Sequence, residues 1–187
     1  MKAVILAAGE GRRLSPLTNV RPKPMLPVAN EPILARVIEA VAEAGIEEVL
    51  LVVGYKSDRI QQAVGDGDRW GIEVEYVHQE KQLGTGDAVL QAEPAIDEEF
   101  LVLNGDRVID SAVLSAVIEA RQNTGETVMA VTRAEEPELY GVVELDGERV
   151  TRIVEKPQPH QISSDVINAG VYAFGPEIFP AIRETSA

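Results

Sequence analysis

The sequence predicts an α/β fold: a mostly parallel, mixed sheet layered between helices, with an antiparallel hairpin added in its second half. Three observations carry this. Apolar runs of strand length alternate with stretches of helical period from residue 2 to residue 133, the pattern of β-α-β crossovers. The early runs are apolar at nearly every position, as in strands covered on both faces. Beyond Arg133 the period falls to two, around Asp146-Gly147, a dipeptide suited to the left-handed backbone of a tight hairpin turn.

Residues 2–8, KAVILAA, read as the first strand, bounded by Gly9. Residues 32–45, PILARVIEAVAEAG, put Ile33, Leu34, Val37, Ile38 and Val41 on one helical stripe. Pro32 suits the first turn of that helix and Gly45 its end. Residues 47–54, EEVLLVVG, form a second buried strand, and 57–65, SDRIQQAVG, a short helix with Ser57 as its cap. Residues 72–79 alternate like a half-buried strand, 84–94 read as a helix, and 98–106, EEFLVLNGD, as another strand. Residues 111–125 repeat the helical period and 126–133 the strand signal. Residues 141–157, GVVELDGERVTRIVEKP, make the hairpin, 166–174 one more strand, and the last 13 residues begin a helix and stop. No internal repeat, low-complexity segment or linker interrupts the chain, so a single domain over residues 1–187 is expected.

The formal charge of -14 at pH 7 repels phosphate backbones at long range, and at 4% aromatic the chain lacks stacking platforms for single strands. Nucleic acid is therefore excluded as a partner. With no cysteine there is no disulfide and no thiolate metal site. The opening apolar run reaches only Ala8, too short for a signal peptide or a membrane span, so a cytoplasmic location without a membrane partner is expected. Lysine occurs only at positions 2, 23, 56, 81 and 156 among 31 acidic residues, a balance compatible with a salt-adapted proteome or with an ordinary acidic cytosolic protein.

Against this background residues 6–28, LAAGEGRRLSPLTNVRPKPMLPV, gather Arg12, Arg13, Arg21 and Lys23 around a single acid, Glu10. The segment leaves the first predicted strand at its carboxyl end, where parallel α/β sheets bind ligands. Gly9 and Gly11 allow positive φ and a close approach of backbone N–H groups to phosphate oxygens, and an arginine adds a charge-assisted fork. GEG alone is a weak signal, lacking the third glycine of a dinucleotide fingerprint and the Gly-Lys-Ser/Thr of a P-loop. The second strand ends in Gly54-Tyr55 rather than in an acid, which sets a dehydrogenase aside.

With Arg13-Leu14, Pro16-Leu17-Thr18 and Pro22-Lys23-Pro24-Met25-Leu26-Pro27, the segment resembles the signature of the sugar-1-phosphate nucleotidylyltransferases, of the glucose-1-phosphate thymidylyl- or uridylyltransferase kind. Molybdenum-cofactor guanylyltransferases share its beginning but lack the Leu-Ser-Pro-Leu-Thr stretch. The likeness continues along the chain: QEKQLGTGDAV resembles the family's base-reading segment, LNGD its metal strand end, and YGVV, EKP and NAGVY its sugar-side motifs, in the family's order. The resemblance implies the nucleotide-diphospho-sugar transferase fold, a Rossmann-like three-layer sandwich with an added antiparallel sugar-side hairpin. It also implies transfer of a nucleotidyl group from a nucleoside triphosphate, dTTP or UTP favoured, to a sugar 1-phosphate, glucose 1-phosphate favoured, with release of pyrophosphate.

Roles follow by position. Leu6, Ala8, Gly9, Gly11 and Arg13 are implied to line the nucleotide, with Arg13 holding the leaving pyrophosphate and Lys23 bridging the α-phosphate and transition state. Gln79, Gly84 and Thr85 are implied to read the base, since a glutamine amide offers both a donor and an acceptor to the edge of uracil or thymine. Asp106 is implied to bind Mg²⁺. Gly141, Glu155 and Asn168 fall at the sugar and Lys156 at its phosphate. Asp87 departs from the pattern, standing where relatives often carry His or Gln. His78 and His160 have no metal-ligand partners in sequence. No aspartate after Asn168 supplies the family's second metal carboxylate, so the nucleotidyltransferase domain is expected to be cut short at its C-terminus, with nucleotide binding surviving better than turnover. A non-catalytic nucleotide-sugar-binding or regulatory module of the same fold is the alternative. The sugar, uracil against thymine, and the oligomeric state, a homo-oligomer included, are left open.

Overall fold

The computed structural model describes residues 1–11 and 14–185. The chain divides into two compact units, Met1–Val128 with Tyr172–Ala187, and Met129–Val171.

In the first unit β1 (Lys2–Leu6) is the centre of a parallel sheet. It pairs with β4 (Glu48–Val53) on one side and β6 (Phe100–Asn104) on the other, so that Val4 stands opposite both Leu50 and Val102. Outside β4 runs β5 (Glu73–His78), giving the order β5-β4-β1-β6. The chain steps outward from β1 to β4 to β5 and then returns to the far side of β1. The carboxyl ends of β1 and β6 therefore flank a topological switch point, where open parallel sheets bind ligands. β1 is shorter than the expected 2–8, because past Leu6 only isolated bonds continue: the Ala7 amide donates to the Val52 carbonyl (2.8 Å) and the Tyr55 amide to the Ala8 carbonyl (3.2 Å).

Helices cover both faces, as the alternation predicts. Val4, Leu50, Val52, Phe100 and Val102 point to one side, where they bury Ala88 and Val89 of α3 (Thr85–Gln91) and Phe179 of α5 (Ile178–Thr185). Phe100 and Phe179 stack with ring centroids 5.4 Å apart. Pleat alternation turns Ala3, Ile5, Leu51, Leu101 and Leu103, all buried, to the other side. There α1 (Ile33–Glu43) contributes the stripe Leu34, Val37, Ile38 and Val41, and α4 (Ser111–Thr124) contributes Leu114 and Val117. The Asp110 side chain caps α4 by accepting from the Ala112 amide (2.8 Å), and Gly125, with φ of 67°, ends it.

Local details depart from expectation. Ser57 is the first residue of α2 (Ser57–Val64) and not its cap. A turn in which the Ser57 amide donates to the Gly54 carbonyl (3.2 Å) delivers the chain directly into the helix, with Lys56 left-handed at φ of 54°. Between β1 and α1 the proline-rich segment forms two single 3-10 turns, Leu17–Asn19 and Lys23–Met25, and a small hairpin of β2 (Pro27–Val28) and β3 (Glu31–Pro32). Ala29 and Asn30 turn it with φ of 51° and 69°.

The second unit holds β8 (Gly141–Asp146), β9 (Arg149–Glu155) and most of β7 (Val128–Arg133) and of β10 (Val166–Phe174). β8 and β9 form the expected antiparallel hairpin about Gly147, whose φ is 61°. β10 runs antiparallel to β8 with Ile167 opposite Val142, and β7 also pairs with β10. Among the described residues no helix is long and apolar enough to cross a membrane.

Candidate active site

At the switch point two loops meet. The Gly105 amide donates to the Leu6 carbonyl (2.9 Å), and a Cβ at Gly105 would stand 3.0 Å from that same oxygen, so a side chain there would press the two backbones apart by a few tenths of an ångström. Asp106 follows at once. Lys23 comes from the other loop, in a single 3-10 turn between the extended Pro22 and the buried Pro24. Its ammonium forms an ion pair with Oδ2 of Asp106 across 83 residues of sequence. The two side chains keep 37% and 30% of their surface, so the pair contributes little to stability. Its importance is chemical: a cation and a carboxylate lie together, both within reach of an incoming ligand.

The glycine loop is braced from below. Gly11 has φ of +64°, and a Cβ there would lie 2.9 Å from Lys23 Cβ and 3.1 Å from Thr18 Cγ2. Thr18 is buried, and its hydroxyl donates to the Gly11 carbonyl (3.2 Å). The Tyr55 hydroxyl donates to the Thr18 carbonyl (3.4 Å), Lys56 to the Asn19 carbonyl, and the Gln82 amide to the Ala8 carbonyl (3.0 Å). Gly9 is exposed, has no left-handed φ, and would meet nothing with a Cβ. The positive φ that both glycines allow is taken up at Gly11 and not at Gly9.

Gln79 follows β5, its backbone amide donating to the Val53 carbonyl (2.9 Å). Its side chain is 6% exposed, and Nε2 donates to the Gly84 carbonyl (3.2 Å) and to Asp87 Oδ2 (2.6 Å). The structure thus joins Gln79 to Gly84, as their spacing suggests, and adds Asp87. Asp87 faces the glutamine amide. Thr85, the first residue of α3, is exposed.

In the second unit Gly141 stands opposite Glu155 across the hairpin. A Cβ at Gly141 would lie 3.0 Å from Glu155 Oε2 and 3.7 Å from Asn168 Cβ, so these three expected sugar residues form one cluster. Lys156, left-handed at φ of 44°, pairs with Glu155 at 3.4 Å, and Asn168 Oδ1 accepts from the Gly170 amide (2.8 Å).

Among the described residues no group of three or more His, Cys, Asp or Glu side chains could hold a metal ion. A hard divalent cation would depend on Asp106 together with phosphate oxygens and water, the usual manner of holding Mg²⁺. The half-exposed carboxylate at the strand end fits that manner. Arg12 and Arg13 lie outside the described residues, and the role expected of Arg13 with them. The bracing contacts of Thr18, Tyr55 and Gln82 are not visible in the motifs, because their partners are 7, 37 and 74 residues away. The proline and threonine beside the glycines were the only local signal.

A family model described as nucleotidyl transferase matches residues 2–187. The chain is 39% identical over 180 residues to a bifunctional protein GlmU of Methanococcus maripaludis, covering 96% of this chain and 41% of that protein. It is 40% identical over 184 residues to a glucose-1-phosphate thymidylyltransferase of Streptomyces griseus, covering 97% and 51%. A solved structure of UDP-glucose pyrophosphorylase complexed with UDP-glucose matches with a TM-score of 0.87 at 26% identity, over 98% of this chain and 79% of that one. The chain spans about two fifths to one half of the length of these curated relatives.

Proposed function

This chain belongs to the nucleotidyl transferase family, and on that premise we propose that it transfers a nucleotidyl group from UTP or dTTP to a sugar 1-phosphate, glucose 1-phosphate first, releasing pyrophosphate. The observation that carries the reading is the meeting of Lys23 and Asp106 at the carboxyl ends of β1 and β6.

A phosphate oxygen of the sugar 1-phosphate bonds to the α-phosphorus, and the bond from the α-phosphorus to the oxygen bridging to the β-phosphorus breaks. Two anions must approach, so the protein's task is to position them and to neutralise charge. Lys23 answers this need. Its backbone is fixed by flanking prolines while its ammonium is free to exchange Asp106 for an α-phosphate oxygen. Arg13 is assigned the leaving pyrophosphate. The backbone from Leu6 through Ala8 and Gly9 to Gly11 lines the triphosphate, and Gln79, Gly84 and Thr85 receive the base. Gly141, Glu155 and Asn168 are assigned the sugar and Lys156 its phosphate. Asp106 would hold Mg²⁺, which when bound supplies further neutralisation of the phosphate charge. The absence of nucleic-acid partners accompanies this reading, supported by the net charge of -14, and so does a cytoplasmic location, supported by an opening apolar run that reaches only Ala8.

A pyrophosphate-release assay across the four nucleotides and several sugar 1-phosphates tests the proposal. Release is expected only when UTP or dTTP and a sugar phosphate are both present. Binding without release in any combination would leave a nucleotide-sugar-binding module.

A further inference from the structure

We propose that Asp87 locks the amide of Gln79 in one orientation, its carbonyl oxygen turned to the ligand, and so restricts the pyrimidine accepted there to one presenting an N–H, the imide N3–H of uracil or thymine, against cytosine. The inference rests on the nucleotidyl-transfer reading and adds a specificity-determining residue to it.

Gln79 Nε2 has two partners, Asp87 Oδ2 at 2.6 Å and the Gly84 carbonyl at 3.2 Å. A carboxylate and a backbone carbonyl both accept and cannot donate. Turning the amide over would press Oε1 against two acceptors, so the orientation is dictated by its partners. The bond to the carboxylate is charge-assisted and about twice as strong as a neutral one. Both partners are anchored. Asp87 precedes the buried Ala88 and Val89 of α3, and Gln79 is tied to β4 through the Val53 carbonyl.

Both amide hydrogens are thereby engaged, and the side chain offers a ligand an acceptor alone. Among the described residues no fully buried side-chain nitrogen or oxygen lacks a partner. Neither bond that holds Gln79 uses Oε1, because both of its partners are themselves acceptors, so Oε1 is the atom offered to a ligand in this proposal. An acceptor fixed in this way pairs with the N3–H of uracil or thymine. In the same pose the N3 of cytosine carries a lone pair there, and two acceptors would face each other; cytosine could meet the acceptor only by shifting to its 4-amino group. A glutamine amide by itself offers both a donor and an acceptor toward the base; Asp87 removes the donor.

The test is calorimetric titration of UTP and of CTP, each with Mg²⁺, into the unaltered chain, Asp87→Ala and Asp87→Asn, with circular dichroism to establish that each variant is folded. The unaltered chain is expected to prefer UTP. Asp87→Ala leaves the Gly84 carbonyl as the amide's one partner among the described residues, and the preference is expected to shrink about tenfold. Asp87→Asn, whose Oδ1 can accept the same bond, should restore most of it. A ligand-free reading accompanies these: the Gln79 side-chain ¹H–¹⁵N resonances should move in Asp87→Ala and move less in Asp87→Asn. An unchanged UTP:CTP ratio in Asp87→Ala, with UTP still bound, would overturn the lock while leaving the transfer reading intact. Failure of the unaltered chain to bind either nucleotide would overturn both.

Discussion

Lys23 and Asp106 each hold a charge that the proposed chemistry needs, and without substrate each neutralises the other. That pairing keeps an ammonium and a carboxylate at the mouth of an acidic protein without leaving either uncompensated, and its partial exposure lets phosphate displace it without a large desolvation term. A contrasting pair lies in the second unit. Arg133 Nη1 donates to both oxygens of Asp165, at 2.5 and 2.7 Å, and this hydrogen bond, with the guanidinium charge, holds the Asp165 carboxyl below its ordinary value. A depressed folded-state value means that the contribution to stability is present above the unfolded value of about 3.9 and is lost as pH falls through the folded one. Carboxyl titration by NMR should show the depression in the unaltered chain and its relief in Arg133→Gln. An unmoved Asp165 midpoint in the variant would remove the arginine as cause.

Among the elements, those whose pattern is local were legible in the sequence. The apolar runs of β1, β4 and β6 have no polar alternation because helices cover both faces, and the stripe of α1 is buried where its period put it. Asp146-Gly147 announced the hairpin of β8 and β9 by turn chemistry alone. What was not legible depends on partners far along the chain. Arg121 looks like a solvated helix residue, yet it is 5% exposed, donating to Glu99 (2.8 Å), Glu177 (3.1 Å) and the Gly125 carbonyl (2.7 Å). Thr18 looks like a turn residue and is a buried brace for Gly11. The hairpin of β2 and β3 uses Ala29 at positive φ, a choice that turn preferences do not foresee. The face joining β6 to α5 gives a prediction at this scale. Phe100 is fully buried, stacked on Phe179 and inclined to Phe174 at 6.1 Å. Phe100→Ala should cost about 3–5 kcal/mol in chemical denaturation. A loss below about 1 kcal/mol would mean the sheet face repacks without it.

For the whole molecule, a net charge of -14 sets the problem that the candidate site must solve. Most of the chain repels a triphosphate at long range, so capture falls to short-range cations and backbone amides at one edge of the first unit. Residues 6–28 gather that positive charge, and the fold brings Lys23 from this segment to Asp106 at the end of β6. If this meeting point performs the proposed nucleotidyl transfer, Lys23 is the side chain whose loss should be felt first. Single-turnover pyrophosphate release from UTP or dTTP with glucose 1-phosphate and Mg²⁺ should be compared between the unaltered chain and Lys23→Gln. Release by the unaltered chain is expected, with a fall of about 10²-fold or more in the variant, the effect of removing one preorganised charge-stabilising group, and with nucleotide affinity changed far less. Equal rates in the two proteins would contradict it.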